Sequence, residues 1–185
     1  MAVHRVEERL KRVTAALNAA GVPYAVVGGN AVAAWVGSVD PGATRATRNV
    51  DLLVRRLDAD RVTTVLESIG FVRENLRDIV LFLDPAEPSR KSSVHLVWAA
   101  DRIRPSYTVM SPDITEAQAV SEGFTVVSLP ALVRMKLTSF RDIDRVHVAD
   151  MLSVGLISPA VRASLPAELL ARLDEIIRSG EDGRN

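Results

Sequence analysis

From residue 3 to residue 20 the apolar side chains fall at Val6, Leu10, Val13, Leu17 and Ala20 among charged neighbours. Spacing of three and four predicts an amphipathic helix, and Gly21 stops it. Tyr24 to Val27 is a short apolar run ending at Gly28 and Gly29, after which alanine-rich residues 31 to 36 predict a buried helix with Asn30 as its cap. A loop follows, with Pro41 and Gly42, and then the segment NVDLLV at 49 to 54. Strand side chains alternate faces, so Asn49 and Asp51 point one way while Val50, Leu52 and Val54 point into a core. Residues 58 to 68 predict a helix with Val62, Val65, Leu66 and Ile69 inward and Gly70 as its stop. IVLFL at 79 to 83 and VHLVW at 94 to 98 predict two further strands.

Beyond residue 100 the character changes. A Pro-containing, acidic stretch from Arg104 to Glu122 leads into a short strand, FTVVSL, and then into helices from near Pro130. ALVRMKLTSF and IDRVHVADMLSV carry helical apolar spacing, and a last helix is expected over about 167 to 178, leaving SGEDGRN as a loose tail. The pattern is α+β: a small mixed sheet with helices on one side and a helical C-terminal part. The expected division is a core over 1–125, a helical extension packed on it over 126–180, and a tail over 181–185.

Composition removes several function classes. Lys plus Arg equals Asp plus Glu at 23 each, so no global field draws the chain to bulk nucleic acid. The absence of cysteine excludes disulfides, thiolate metal sites and a cysteine nucleophile, and fits a reducing, cytoplasmic setting. MAVHRVEERLKRV has no apolar signal-peptide core, and the most apolar stretch, 22 to 37, is interrupted by Pro23, Gly28, Gly29 and Asn30, so no membrane segment is expected.

The remaining chemistry is concentrated. Glycines where a strand meets a helix let backbone N–H groups and the helix dipole approach phosphate; in the plainer reading they only make a tight turn. Some twenty residues later Arg45, Thr47, Arg48, Asn49 and Asp51 gather polar groups at the start of a strand expected beside the first. Asp144, His147 and Asp150 recur every three residues on a helix, which fits an ion-paired face with Arg141 and Arg145 better than a metal site.

YAVVGGNAVAAW, a loop, and TRNVDLLV together resemble the signature of the DNA polymerase β-like nucleotidyltransferase superfamily, in particular its small bacterial minimal and toxin–antitoxin members. ALVRMKLTSFRDIDRVHVADML is similar to the lysine and arginine–aspartate pattern on that family's later helices, so the likeness spans roughly residues 3 to 155. The resemblance implies transfer of a nucleoside monophosphate from a nucleoside triphosphate to a hydroxyl acceptor, a protein or an RNA. It also implies Mg2+ or Mn2+, held by two carboxylates at i and i+2 that clamp attacking and leaving oxygens. Carried across, Gly28, Gly29 and Asn30 meet the triphosphate, Asp51 is the second carboxylate, and Arg48 or Lys136 offsets charge. Asn49 stands where the first carboxylate belongs and His95 where the third does, so the implied metal site, Asp51 with Asn49, is partly degenerate. His95 then becomes a candidate base for the acceptor. The alternative is a non-catalytic nucleotide-binding or protein-interaction module, as in a toxin–antitoxin pair.

Overall fold

The computed structural model describes residues 2–77, 79–120 and 123–182. Helix α1 (Ala2–Ala19) buries Val6, Leu10, Val13 and Leu17 along one side. It ends as a Schellman turn: Gly21 adopts φ +59° and Val22 N–H returns to the Leu17 carbonyl at 3.0 Å. Strand β1 (Ala25–Val27) runs straight into helix α2 (Gly28–Gly37), which begins at Gly28, with Asn30 already inside its first turn. Asn30 is therefore not the cap expected of it. Its side chain is spent elsewhere, on the Asn49 carbonyl.

Strand β2 (Val50–Val54), helix α3 (Ala59–Ser68), strand β4 (Ile79–Leu83) and strand β5 (Val94–Trp98) stand where the apolar pattern puts them. Two strands escaped it: β3 (Val72–Leu76), a mostly exposed VRENL, and β6 (Ala117–Ala119). With β7 (Thr125–Val127) they make one mixed sheet of seven strands in the order β3-β4-β5-β2-β1-β7-β6. β1 and β2 are antiparallel, with Val27 opposite Asp51; β2 and β5 are parallel, with Asp51 opposite His95. Consecutive residues Ala25, Val26 and Val27 are all buried, as are Leu52, Leu53 and Val54. Alternate side chains point to opposite faces, so the centre of the sheet is covered on both sides rather than one.

Helices α4 (Leu129–Ser139), α5 (Asp142–Ser153), α6 (Pro159–Ala163) and α7 (Ala167–Asp182) complete the described chain. α4, α5 and α7 pack on one another, and α2 packs against α4 and α5. The last helix continues through Ser179 and Gly180 to Asp182, past the end expected for it; residues 183–185 lie outside the described residues. No helix among the described residues is long and apolar enough to cross a membrane.

Candidate active site

Register, not sequence proximity, builds the site. Asp51 on β2 and His95 on β5 are paired residues of adjacent parallel strands, so their side chains leave the same face. The His95 Nδ1 and Asp51 Oδ1 atoms are 3.3 Å apart. Asn49 precedes β2 and donates from Nδ2 to Asp51 Oδ1 at 2.7 Å, with His95 Nδ1 3.4 Å from the same nitrogen. A carboxylate only accepts, so this contact fixes which end of the amide faces it. On the far side of the imidazole, Ser93 Oγ lies 2.9 Å from Nε2 and donates to the Arg90 carbonyl at 2.9 Å. With that hydroxyl proton committed to Arg90, an Nε2–H can donate to Ser93 Oγ, and this tautomer would leave the Nδ1 lone pair toward Asn49 and Asp51.

The glycine turn closes over the same carboxylate. Gly28 has φ +68°, and a Cβ built there would stand 2.1 Å from Asp51 Oδ2. Asp51 itself therefore occupies the room that a side chain at Gly28 would need. A Cβ at Gly29 would meet Thr47 Oγ1 at 2.9 Å. Asn30 donates to the Asn49 carbonyl at 2.7 Å and so holds the strand entrance against the turn.

These groups form one wall of a cleft of about 690 Å³. Gly28, Gly29, Asn49, Asp51, His95 and Lys136 line it. Of the residues the sequence singled out, Asn30 and Arg48 do not. Asn30 acts behind the wall, and Arg48 contributes its carbonyl to the Arg9 guanidinium at 3.2 Å. Arg45 is also removed from the cleft, in an exposed pair with Asp150.

The same cleft is lined by a second cluster, in which the sequence placed Asp144, His147 and Arg141 on a solvated, ion-paired helix face and Lys136 toward the nucleotide. The connection between α4 and α5 is only Phe140, in the left-handed region at φ +47°, and Arg141. That tight corner folds Lys136, Ser139 and Arg141 around Asp144, which is fully buried. Asp144 accepts from Lys136 Nζ at 3.0 Å, Ser139 Oγ at 2.7 Å and Arg141 Nε at 2.6 Å. Burial opposes its charge, but the Arg141, Lys136 and Ser139 contacts outweigh that and hold the carboxyl well below its ordinary range. Lys136 thus neither reaches solvent nor stands free; it is a buried half of an ion pair in the cleft wall. His147, 8% exposed, lies beside them with Nδ1 buried and unpartnered, and burial together with the Lys136 charge pushes it down to about 4. Arg141 also feels the Asp51 carboxylate, more weakly than its bonded partner Asp144.

Comparison with solved structures identifies the scaffold. ANT(2'')-Ia in complex with adenylyl-2''-tobramycin superposes at a TM-score of 0.54 with 19% identity, covering 96% of this chain and 99% of that one. An antigenic nucleotidyltransferase-like protein from Paracoccidioides brasiliensis gives 0.61 with 17% identity over 98% and 91%. The chain has the nucleotidyltransferase fold. The lincomycin-bound lincosamide antibiotic adenylyltransferase LnuA superposes on it at 0.57 with 13% identity, over 80% of this chain and 97% of that. No protein-family model matches the chain, and no curated protein does.

The nucleotidyltransferase fold raises the question of the metal pair, and the donors present do not fit one. Among the described residues no three His, Cys, Asp or Glu side chains cluster as a metal centre requires. Asp51 is the single carboxylate of the trio, and Asn49 turns its N–H side, not its oxygen, toward it. The amide satisfies the carboxylate where a second carboxylate would have repelled it and needed a cation.

Proposed function

We propose that the cleft binds a nucleoside triphosphate and that the protein transfers the nucleoside monophosphate to a hydroxyl acceptor without the paired-metal clamp. The observation that carries this reading is the His95–Asp51 pair, 3.3 Å apart in the cleft wall, with the other imidazole nitrogen tied to Ser93. The acceptor oxygen attacks the α-phosphorus, the bond between α-phosphorus and bridging oxygen breaks, and pyrophosphate leaves with that bond's electron pair. The hydroxyl proton goes to the His95 Nδ1 lone pair. Asp51 then accepts a hydrogen bond from the imidazolium and balances its charge. Lys136 and Arg141 outnumber Asp144 in the second cluster, so it carries one more cation than anion for the phosphates. Asn30 is a positioning residue, acting through the Asn49 carbonyl.

A second reading is favoured by Asn49: a non-catalytic nucleotide-binding module, including the protein-interaction role of a toxin–antitoxin component, that kept the scaffold and lost the metal. Calorimetric titration with ATP, CTP, GTP and UTP, each in chelator and with Mg2+ or Mn2+, separates the two when combined with pyrophosphate release using water as acceptor. The transfer reading expects binding of at least one triphosphate and slow pyrophosphate release that His95→Asn abolishes without weakening binding. Binding with no release under any condition selects the module. No binding of any triphosphate rejects both.

A further inference from the structure

The chain between β5 and β6 contains a long irregular segment whose ends are pinned together. Ser111 N–H donates to the Asp101 carbonyl at 2.8 Å, Asp101 N–H donates to Ser111 Oγ at 3.0 Å, and Ala100 N–H donates to the Pro112 carbonyl at 2.9 Å. Residues 101–111 are thus a closed loop with a fixed neck, the form in which irregular segments commonly serve binding. Every residue of it except Ser106 and Thr108 lines the cleft. The loop lines the same cleft as the Asp51–His95 pair and follows Trp98 at the end of β5.

Its chemistry is specific in two respects. Its apolar side chains are left open: Ile103 is 46% and Met110 55% exposed. Ile79 on β4 and Ile143 on α5, also about half exposed, line the same cleft, so apolar exposure gathers at this opening. Its charges, by contrast, are already engaged. Asp101 accepts from Arg56 Nε at 2.8 Å, Arg102 donates to the Tyr107 carbonyl at 2.8 Å, and Arg104 lies 5.9 Å over the Tyr107 ring. Of the other carboxylates lining the cleft, Asp144 is ion-paired with Lys136 and Arg141, and Asp51 accepts from the neutral Asn49 amide. The lining carries five cations, Arg56, Arg102, Arg104, Lys136 and Arg141, against three carboxylates, so a polyamine would meet net like charge, whereas an apolar body would cover the exposed side chains.

We infer that the 101–111 loop selects the acceptor, and that it takes a small uncharged hydroxyl compound with a substantial apolar part. This rests on the nucleotide reading above for the word acceptor; the loop's ligand class stands on its own. The probe is octyl β-glucoside below its micelle-forming concentration, uncharged, with hydroxyls and an apolar chain. Trp98 reports it in a Trp35→Phe protein, which leaves one of the two tryptophans; calorimetry on the natural protein serves if that variant does not fold. The expected result is a saturable shift of Trp98 emission toward the blue, with tobramycin, a polycation, giving none. Met110→Asp and Ile103→Asp each weaken the glucoside about tenfold. Val72→Asp, at an exposed apolar residue of β3 that does not line the cleft, leaves it unchanged. Unaltered affinity in the Met110 and Ile103 variants, absence of saturation, or tighter binding of tobramycin overturns the inference. ATP titrated into the same proteins separates the two ideas: triphosphate binding without loop-dependent glucoside binding removes the loop assignment alone. Loop-dependent glucoside binding without any triphosphate binding removes the nucleotide reading and leaves the loop's ligand class in place.

Discussion

Adding one methyl group at Gly28 tests how the carboxylate is seated. At φ +68° an alanine carries the left-handed penalty of about 1–2 kcal/mol. Its Cβ would also stand 2.1 Å from Asp51 Oδ2 and 3.0 Å from Cγ, closer than real atoms approach, so the Asp51 side chain must turn away. Turning away gives up the 2.7 Å hydrogen bond from Asn49, a charge-assisted bond of about 1.5–3 kcal/mol. Gly28→Ala should therefore cost about 2.5–5 kcal/mol, a drop in melting temperature on the order of 10 °C for a chain of this size. Denaturant unfolding of a double-mutant cycle assigns the parts. In an Asp51→Ala background the Oδ2 contact is gone, and Gly28→Ala should cost the backbone share plus the tight 3.1 Å contact with the remaining Cβ, with a coupling of about 1.5–3 kcal/mol. Gly29→Ala should be milder, because rotation relieves Thr47 Oγ1, Thr47 Cβ at 3.0 Å needs to give only a few tenths of an ångström, and alanine favours the helix by up to about 1 kcal/mol. A loss below about 1 kcal/mol for Gly28→Ala, or the same loss with and without Asp51, would refute the packing of carboxylate against turn.

Asn49→Asp replaces the donor by a second carboxylate at hydrogen-bond distance, so it should lose about 1–3 kcal/mol in chelator and recover with Mg2+ or Mn2+ plus triphosphate. Identical melts in chelator and metal would show that positions 49 and 51 hold no ion in either form. His147 in the folded chain sits at about 4, below its ordinary 6.5, so the unfolded chain takes the proton first as pH falls. Its neutral burial is fully tolerated above pH 6.5 and progressively costly down to about 4, by as much as about 3 kcal/mol. His147→Leu should flatten that part of the stability–pH curve, and an unchanged slope would contradict it. Asp144 is held below its ordinary 3.8, so its contribution is present above that value and fades only at lower pH. Asp144→Asn should cost roughly 3–5 kcal/mol at pH 7, because Lys136 is left buried with a neutral partner, and the gap to the natural protein should narrow in acid; equal urea midpoints at pH 7 would rule it out.

What was legible in the chain was legible for one reason: alternation. NVDLLV and VHLVW each show one face, and that was enough to put Asn49, Asp51 and His95 on a common surface once the strands were adjacent. The β3 strand was invisible because an edge strand needs no apolar face; VRENL keeps four of its five residues exposed. Asn30 looked like a cap because asparagine before a helical run usually is one, and only a residue nineteen positions away, Asn49, explains its use. Asp144 read as a solvated charge because helical spacing cannot register a corner like that at Phe140, which folds two cations onto it. The 101–111 loop has no periodicity to read, and its role emerges only from the neck bonds that close it.

The Arg9 guanidinium bears on how this molecule is made. It is 1% exposed, and its partners are Asp84 at 3.0 Å, Glu87 at 2.9 Å and the Arg48 carbonyl at 3.2 Å. During synthesis the first helix leaves the ribosome long before residues 84 and 87 exist, and a guanidinium stays in water until its counter-charges arrive. Helix α1 therefore completes this contact only after the segment following β4 has been made, and the contact grips the backbone one residue ahead of Asn49. A helix made well ahead of its counter-charges waits for them, and the strand that carries Asp51 gains this support only then.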